Sequence, residues 1–331
     1  MSHARPDTSA SQIEQAAALL AQGRLVAIPT ETVYGLAGDA RNPDAVRAIF
    51  ALKGRPADHP LIVHIGTVAE IAAWAARVPP AAMELASAFW PGPLTLVLPA
   101  APDVPRVVTG GLDTVALRMP AHPLALALLR RLGRGLAAPS ANRYGRVSPT
   151  CARHVREEFG EGVAMVVDGG ACTIGIESTI VDLSAGTARI LRPGAITPEQ
   201  IERCLHAAVE RQPAPGTRSP GLKASHYCPR ARVVCTAPDQ AAATAAHWLA
   251  RGHRVCVLSP AACDQMHAGL VWLRVSDDAS TLARQLYAKL RQADDLQADV
   301  IVAALPAAAG IGAAVRDRLR RAAGGGEEFR A

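Results

Sequence analysis

Apolar and polar positions along the chain alternate between two periods. Ile13, Ala17 and Leu20 share one helical face, with Ser11 and Glu14 in capping-box spacing and Gly23 as the stop. The apolar run "RLVAIPT" then reads as a buried strand, and "NPDAVRAIFALKG" as a helix capped by Asn42, opened by Pro43 and ended by Gly54. The run "PLIVHIG" predicts the next strand. Thr67 and Glu70 predict a second capping box that opens a helix around Ile71 and Trp74.

The alternation continues with a helix in "PAAMELASAFW" and strands in "LTLVLPA" and "TVALRMP". A helix in "HPLALALLRRLG" follows, then a strand and loop in "GLAAPSAN", a helix in "CARHVREEFG" and a strand in "VAMVVDGG". The runs "ESTIVDLS" and "ARILRPG" read as a hairpin. The run "TPEQIERCL" is a helix with Thr197 as cap, Pro198 at the first position and Gln200 at the third. The segment "RQPAPGTRSPGLKASHYCPRA" breaks the rhythm with four prolines and no period, the composition of a linker. Beyond it, strands "RVVCTA", "HRVCVLS", "LVWLRVS" and "ADVIVAALP" alternate with helices around Trp248, in "STLARQLYAKLRQAD" and in "AAVRDRLRRAA". These patterns predict an α/β chain with a mixed sheet at residues 10–210, a linker at 211–230 and a small Rossmann-like domain at 231–331. The first ten residues and the tail "GGGEEFRA" read as frayed ends.

The composition narrows the chemistry. Seven cysteines (Cys151, Cys172, Cys204, Cys228, Cys235, Cys256 and Cys263) form no CxxC pair, so reduced thiols in a cytoplasmic protein are expected. The opening residues carry no signal-peptide pattern, and no apolar run approaches the roughly 20 residues that span a bilayer. The net charge of +6 suits an anionic ligand or RNA and also serves plain solubility. There is no P-loop, no G-x-S-x-G, no H-E-x-x-H and, in the C-terminal part, no G-x-G-x-x-G.

Short polar words stand at the strand ends instead. The segment "PTETVYGLAGDA" offers Thr30, Glu31, Thr32 and Tyr34 in what reads as a glycine-rich loop. Only three of the 35 Lys and Arg residues are lysines (Lys53, Lys223 and Lys289), and one of them stands in "KGR" beside Arg55. Either the pair caps its helix, or it clamps phosphate with a compact ammonium beside a planar guanidinium; the scarcity of lysine favours the clamp. His64 lies mid-strand, where a core role is the plain reading. Arg118, among apolar strand residues, requires an anion or a carboxylate partner. Ser140, Asn142 and Ser148 follow a strand, in a loop suited to phosphate and ribose, and Ser178 and Arg192 take strand positions. Together these residues describe a site for a polyanion and a small zwitterion; ATP with an amino acid fits, and so does an RNA backbone.

The words "PTETVYGLAGDA", "KGRPADHPLIVHI", "FWPGPLTLVLP", "VALRMPAHP", "APSANRYGRVSPT", "GIESTIVDL" and "ILRPGAIT" resemble, in order, the YrdC-like threonylcarbamoyl-AMP synthase family over roughly Ala10 to Cys204. The linker and the following domain are similar to the long form of that family. The resemblance implies a mixed twisted sheet with a concave basic cavity. It also implies a nucleotidyltransferase reaction: L-threonine, bicarbonate or CO₂ and ATP give threonylcarbamoyl-AMP and pyrophosphate. The product serves the modification of a tRNA adenosine next to the anticodon, through downstream transfer proteins. Carried over by position, Thr32, His64, Arg118, Ala138 and Ser178 hold threonine. Lys53, Arg55, His59, Thr114, Ser140, Asn142, Ser148, Arg192 and Tyr227 hold ATP, with His59 where many members have asparagine. Lys53 and Arg55 also position the phosphates for the chemistry, without a general-base dyad, and Tyr227 closes over the nucleotide from the linker. Mg²⁺ is expected with ATP and without protein ligands; contact with double-stranded RNA is a further expectation, and no membrane partner is expected. Two other readings compete: a basic RNA-binding module without chemistry, and carbamoyl transfer in hydrogenase maturation. The first does not call for small hydroxyl residues inside the cavity, and the second lacks support from any CxxC pair.

Overall fold

The computed structural model describes residues 8–212, 217–221, 226–261 and 267–324. Most of the expected arm, Lys223, Cys263, the tail and parts of the linker lie outside the described residues. The chain divides into two units: residues 1–144, 149–173 and 177–220, and residues 145–148, 174–176 and 221–331.

The first unit is built on a nine-stranded mixed sheet. In chain order its strands are β1 (Val26–Ile28), β2 (Gly35–Asp39), β3 (Ile62–His64), β4 (Leu94–Pro99), β5 (Thr114–Arg118), β6 (Leu136–Ala137), β7 (Met165–Val166), β8 (Thr179–Asp182) and β9 (Arg189–Arg192). Their spatial order is β7-β1-β2-β6-β3-β5-β4-β8-β9. β8 and β9 form the expected antiparallel pair. β2 is a strand where the pattern reads loop. Its two glycines hide it, and packing explains them: a Cβ on Gly35 would stand 3.2 Å from the Ala138 Cβ, and one on Gly38 3.0 Å from Leu25 Cδ2.

Local signals explain most helix ends. Asn42 accepts from the amides of Asp44 and Ala45, and Gly54 ends the helix Pro43–Lys53 in the left-handed conformation. Thr197 and Gln200 form the predicted capping box of the helix Pro198–Leu205. Two expectations fail. The first helix starts at Thr8, so Ser11 lies inside it and Glu14 pairs with Arg131 instead. Thr67 and Glu70 bond to each other through their side chains, and residues Val68–Ala73 form a 3₁₀ segment.

The two faces of this sheet are filled unequally. Leu36, Val63, Leu96 and Leu117 belong to the large core with Ile49, Trp74 and Leu85. The opposite face of β1, β2 and β6 packs on the helices Thr8–Ala21 and Pro123–Leu132 through Ile28, Ala37 and Leu136. Further along that face, only a small cluster of Ile62, Val97, Ala116, Ile180 and Leu191 covers the sheet. Strand side chains alternate between faces, so His64, Thr95, Thr114, Arg118, Ser178 and Asp182 fall on the side of that small cluster.

The second unit holds four parallel strands, β10 (Arg232–Thr236), β11 (Val255–Ser259), β12 (Leu270–Arg274) and β13 (Val300–Ala304), in the order β10-β13-β11-β12. The helices Ala241–Leu249, Ala279–Asp295 and Ile311–Ala322 alternate with them. This is the expected Rossmann-like pattern. Among the described residues, no helix is long and apolar enough to cross a membrane.

Candidate functional site

β3 and β5 run parallel with His64 opposite Arg118, which sets an imidazole beside a guanidinium on the sparsely covered face. Arg118 is 4% exposed. Its Nη2 donates to Glu31 Oε1 at 2.6 Å, and its Nε donates to the Gly92 carbonyl at 3.3 Å. Glu31 Oε2 in turn accepts from the Ala121 amide at 3.0 Å. The carboxylate that a buried arginine demands therefore comes from the "PTETVYG" segment, and Glu31 joins the candidate site although no role was assigned to it from sequence.

His64 is buried, and its Nδ1 has no hydrogen-bond partner among the described residues. Burial, reinforced by the Arg118 charge, pulls its pKa down to about 3, so the ring is neutral at physiological pH. Thr32 lies in the same loop as Glu31, with its hydroxyl 2.8 Å from that of Thr30. Ala138 is buried, and its amide donates to the Ile62 carbonyl. The Ser178 hydroxyl lies 2.8 Å from that of Thr95 and accepts from Arg192 Nη2 at 3.1 Å. Arg192 Nε also donates to the Ser178 carbonyl.

The "KGR" word takes a form its sequence does not announce. Lys53 is 3% exposed, and its ammonium donates to the carbonyls of Ser140 and Asn142 rather than to its own helix end. Burial first, and the Arg55 charge second, lower its pKa well below the ordinary lysine value. A compact tetrahedral donor fits between two converging carbonyls, which is a physical reason for lysine here apart from phosphate binding. Arg55 is buried as well; its Nη2 donates to the Pro60 carbonyl at 3.0 Å, and its guanidinium lies 5.7 Å from the centre of the Tyr144 ring. His59 packs edge-on against the same ring. Thr114 opens β5, half-buried.

Twelve of the fourteen expected ligand residues thus belong to the first unit: Thr32, Lys53, Arg55, His59, His64, Thr114, Arg118, Ala138, Ser140, Asn142, Ser178 and Arg192. Ser148 and Tyr227 fall in the second unit. Tyr227 is 1% exposed, stacks on Tyr287 at 5.7 Å and carries the Arg318 guanidinium 5.3 Å from its ring centre. In this structure it is a core residue of that unit, in a left-handed conformation with φ of 63°.

Comparison with known proteins accounts for both units. Residues 18–194 match the Sua5/YciO/YrdC family model, described as telomere recombination. Residues 196–324 match the model described as the C-terminal domain of threonylcarbamoyl-AMP synthase. Threonylcarbamoyl-AMP synthase of Pyrococcus abyssi is 42% identical over 324 residues, covering 95% of this chain and 94% of the relative. The chain belongs to the threonylcarbamoyl-AMP synthase family. The Bacillus subtilis member is 43% identical over 328 residues, covering 96% of this chain and 94% of its own. The crystal structure of P. abyssi Sua5 complexed with L-threonine superimposes with a TM-score of 0.87 at 41% identity, over 94% of each chain. The family and the α/β fold expected from the sequence words are both borne out.

Proposed function

We propose that this chain is an L-threonylcarbamoyladenylate synthase, a nucleotidyltransferase that condenses L-threonine, bicarbonate or CO₂ and ATP into threonylcarbamoyl-AMP with release of pyrophosphate. One observation carries the reading: a single sheet face holds a neutral buried imidazole, a buried guanidinium and a second guanidinium tied to Ser178. The full-length similarity to named synthases supports it.

In this reading Arg118, held by Glu31, takes the threonine carboxylate. Neutral His64 bonds to the amino acid without adding charge, and Thr32, Ala138 and Ser178 complete the pocket. The threonine amine adds to CO₂ or bicarbonate, giving a carbamate. A carbamate oxygen attacks the α-phosphorus of ATP, its P–O bond forms, and pyrophosphate leaves. Both reactants are anions, so screening and alignment carry the catalysis. Arg55 and Arg192 screen the phosphates. Lys53 holds the loop of Ser140 and Asn142 with two of its three donors and keeps one for phosphate. His59 and Thr114 extend the ATP set within the first unit, and Mg²⁺ enters with ATP as part of the substrate. Residues 10–210 act as the catalytic domain, 211–230 as its lid and 231–331 as the appended domain, in the cytoplasm. The product passes to proteins that modify tRNA.

The test is pyrophosphate release from MgATP in bicarbonate buffer with the purified chain. The reading expects release that depends on threonine and yields a threonylcarbamoyl-AMP peak by mass spectrometry. Release indifferent to threonine would exclude it.

A further inference from the structure

The loop that carries Glu31 and Thr32 rests at both ends on one turn, residues 168–170, which follows β7. Asp168 Oδ1 accepts from the Gly170 amide at 3.1 Å and shapes that turn. At the far end of the loop, the Tyr34 hydroxyl donates to the Gly170 carbonyl at 2.8 Å and accepts from the Gly169 amide at 3.1 Å. At the near end, Pro29 packs on Gly169 so closely that a Cβ there would stand 2.7 Å from Pro29 Cγ. Glycine leaves room for this approach.

His122 braces the same turn from another side. Its Nδ1 accepts from the Leu124 amide at 3.2 Å, as the N-cap of the helix Pro123–Leu132. That bond leaves the ring proton on Nε2, which lies 3.3 Å from the Gly169 carbonyl and donates to it. One neutral imidazole thus ties the start of a helix to the turn. The residue before it, Ala121, gives its amide to Glu31 Oε2, and Glu31 Oε1 holds Arg118. The orientation of the buried guanidinium therefore depends on a carboxylate whose loop and whose amide donor are both braced against residues 168–170.

We propose that His122 and Tyr34 are positioning residues for the amino-acid substrate: they clamp this turn, fix the Glu31 carboxylate and so aim the Arg118 guanidinium at the substrate carboxylate. The inference rests on the proposed function, in which Arg118 takes the carboxylate of threonine. Two of the five N–H donors of Arg118 are used by Gly92 and Glu31, which leaves three for a ligand and holds the plane of the group. A guanidinium meets a carboxylate through two parallel bonds, so a tilt of that plane weakens both at once. The cations expected at the phosphates are held elsewhere: Lys53 by the carbonyls of Ser140 and Asn142, Arg55 by that of Pro60 and Arg192 by that of Ser178. Loss of the clamp therefore acts on one substrate and spares the other.

The test uses the full chain and steady-state pyrophosphate release, with threonine and MgATP varied in turn. Tyr34→Phe removes both hydroxyl bonds and keeps the ring. It is expected to raise KM for threonine about tenfold, the factor for loss of one or two net hydrogen bonds, with KM for ATP unchanged. His122→Ala is expected to do the same. His122→Asn restores an acceptor for the Leu124 amide but is too short for Gly169, and is expected to recover part of the loss. A threonine KM unchanged in both Tyr34→Phe and His122→Ala overturns the assignment. So does an equal rise in both KM values, which is what a general loosening of the fold produces. If His122→Ala does not fold, Tyr34→Phe decides alone. Calorimetric titration with threonine separates this inference from the synthase reading. Weaker threonine binding in the variants, beside a wild type whose release ignores threonine, keeps the clamp and removes the synthase. Threonine-dependent release with equal threonine affinity in wild type and variants removes the clamp and keeps the synthase.

Discussion

Arg192 donates to the hydroxyl of Ser178 at 3.1 Å, joining a residue expected at the phosphates to one expected at the amino acid. Removal of that hydroxyl disturbs both. Ser178→Ala is expected to raise KM for ATP and for threonine together, each by about tenfold, since bonds to a charged group are worth about 1.5–3 kcal/mol. Steady-state pyrophosphate release over both substrates checks it. A change in only one KM would mean that the two half-sites are independent.

Lys53 sits between two carbonyls in a buried position, which changes what its substitution does. Lys53→Arg forces a longer, planar group into the same space, at a cost of about 1–3 kcal/mol. We expect lower turnover and also a lower Tm, by several degrees at about 2–4 °C per kcal/mol for a domain of this size. Near-normal activity with an unshifted melting curve would contradict the structural account.

The Glu31–Arg118 pair has both side chains below 10% exposure. Removing one partner strands the other, typically at about 3–5 kcal/mol, whereas an apolar replacement of both is far milder. Glu31→Ala should therefore be more destabilised in urea than the Glu31→Ala, Arg118→Met double variant. Additive losses would show that the pair does not act as a unit.

His64 supplies a pH dependence with a defined sign. Its folded pKa, about 3, lies below the ordinary value of 6.5, so the unfolded chain binds the extra proton between them. The neutral ring's stability contribution is complete above pH 6.5 and is lost as pH falls toward 3, by about 1.4 kcal/mol per unit. At pH 5 the loss is about 2 kcal/mol relative to neutrality. His64→Gln should flatten this part of the stability curve, as read by urea unfolding from pH 5 to 7.5. An unchanged slope would assign the dependence to other groups.

How much of this was legible depended on how local each cause was. Asn42, Gly54, Thr197 and Gln200 act within one helical turn, and their roles are written in the chain. β2 was missed because Gly35 and Gly38 answer to Ala138 and Leu25, which only the fold brings near. The demand of Arg118 for a carboxylate was readable from its apolar strand, but not the identity of the acceptor, 87 residues earlier. Lysine scarcity drew attention to Lys53, but the carbonyls that hold it come from a loop 87 and 89 residues away. The cation and hydroxyl words were recognisable as a set because their order along the chain matched a family. The reading of Tyr227 as a cover over the nucleotide comes from that resemblance alone; what the structure shows is a buried ring stacked on Tyr287.

The strand order of the large sheet has a kinetic consequence. β1 pairs with β7 through Val26 and Met165, and β4 pairs with β8 through Leu94 and Thr179. During synthesis the early strands therefore emerge long before their neighbours exist and carry open edges until the last third of the unit is made. Such non-local pairing pays its loop-closure entropy before any contact rewards it, which slows folding and prolongs exposure to aggregation. A nascent chain stopped short of β8 would lack the strands that bear Ser178 and Arg192 at their margins, so this catalyst is assembled only as its own sheet is finished.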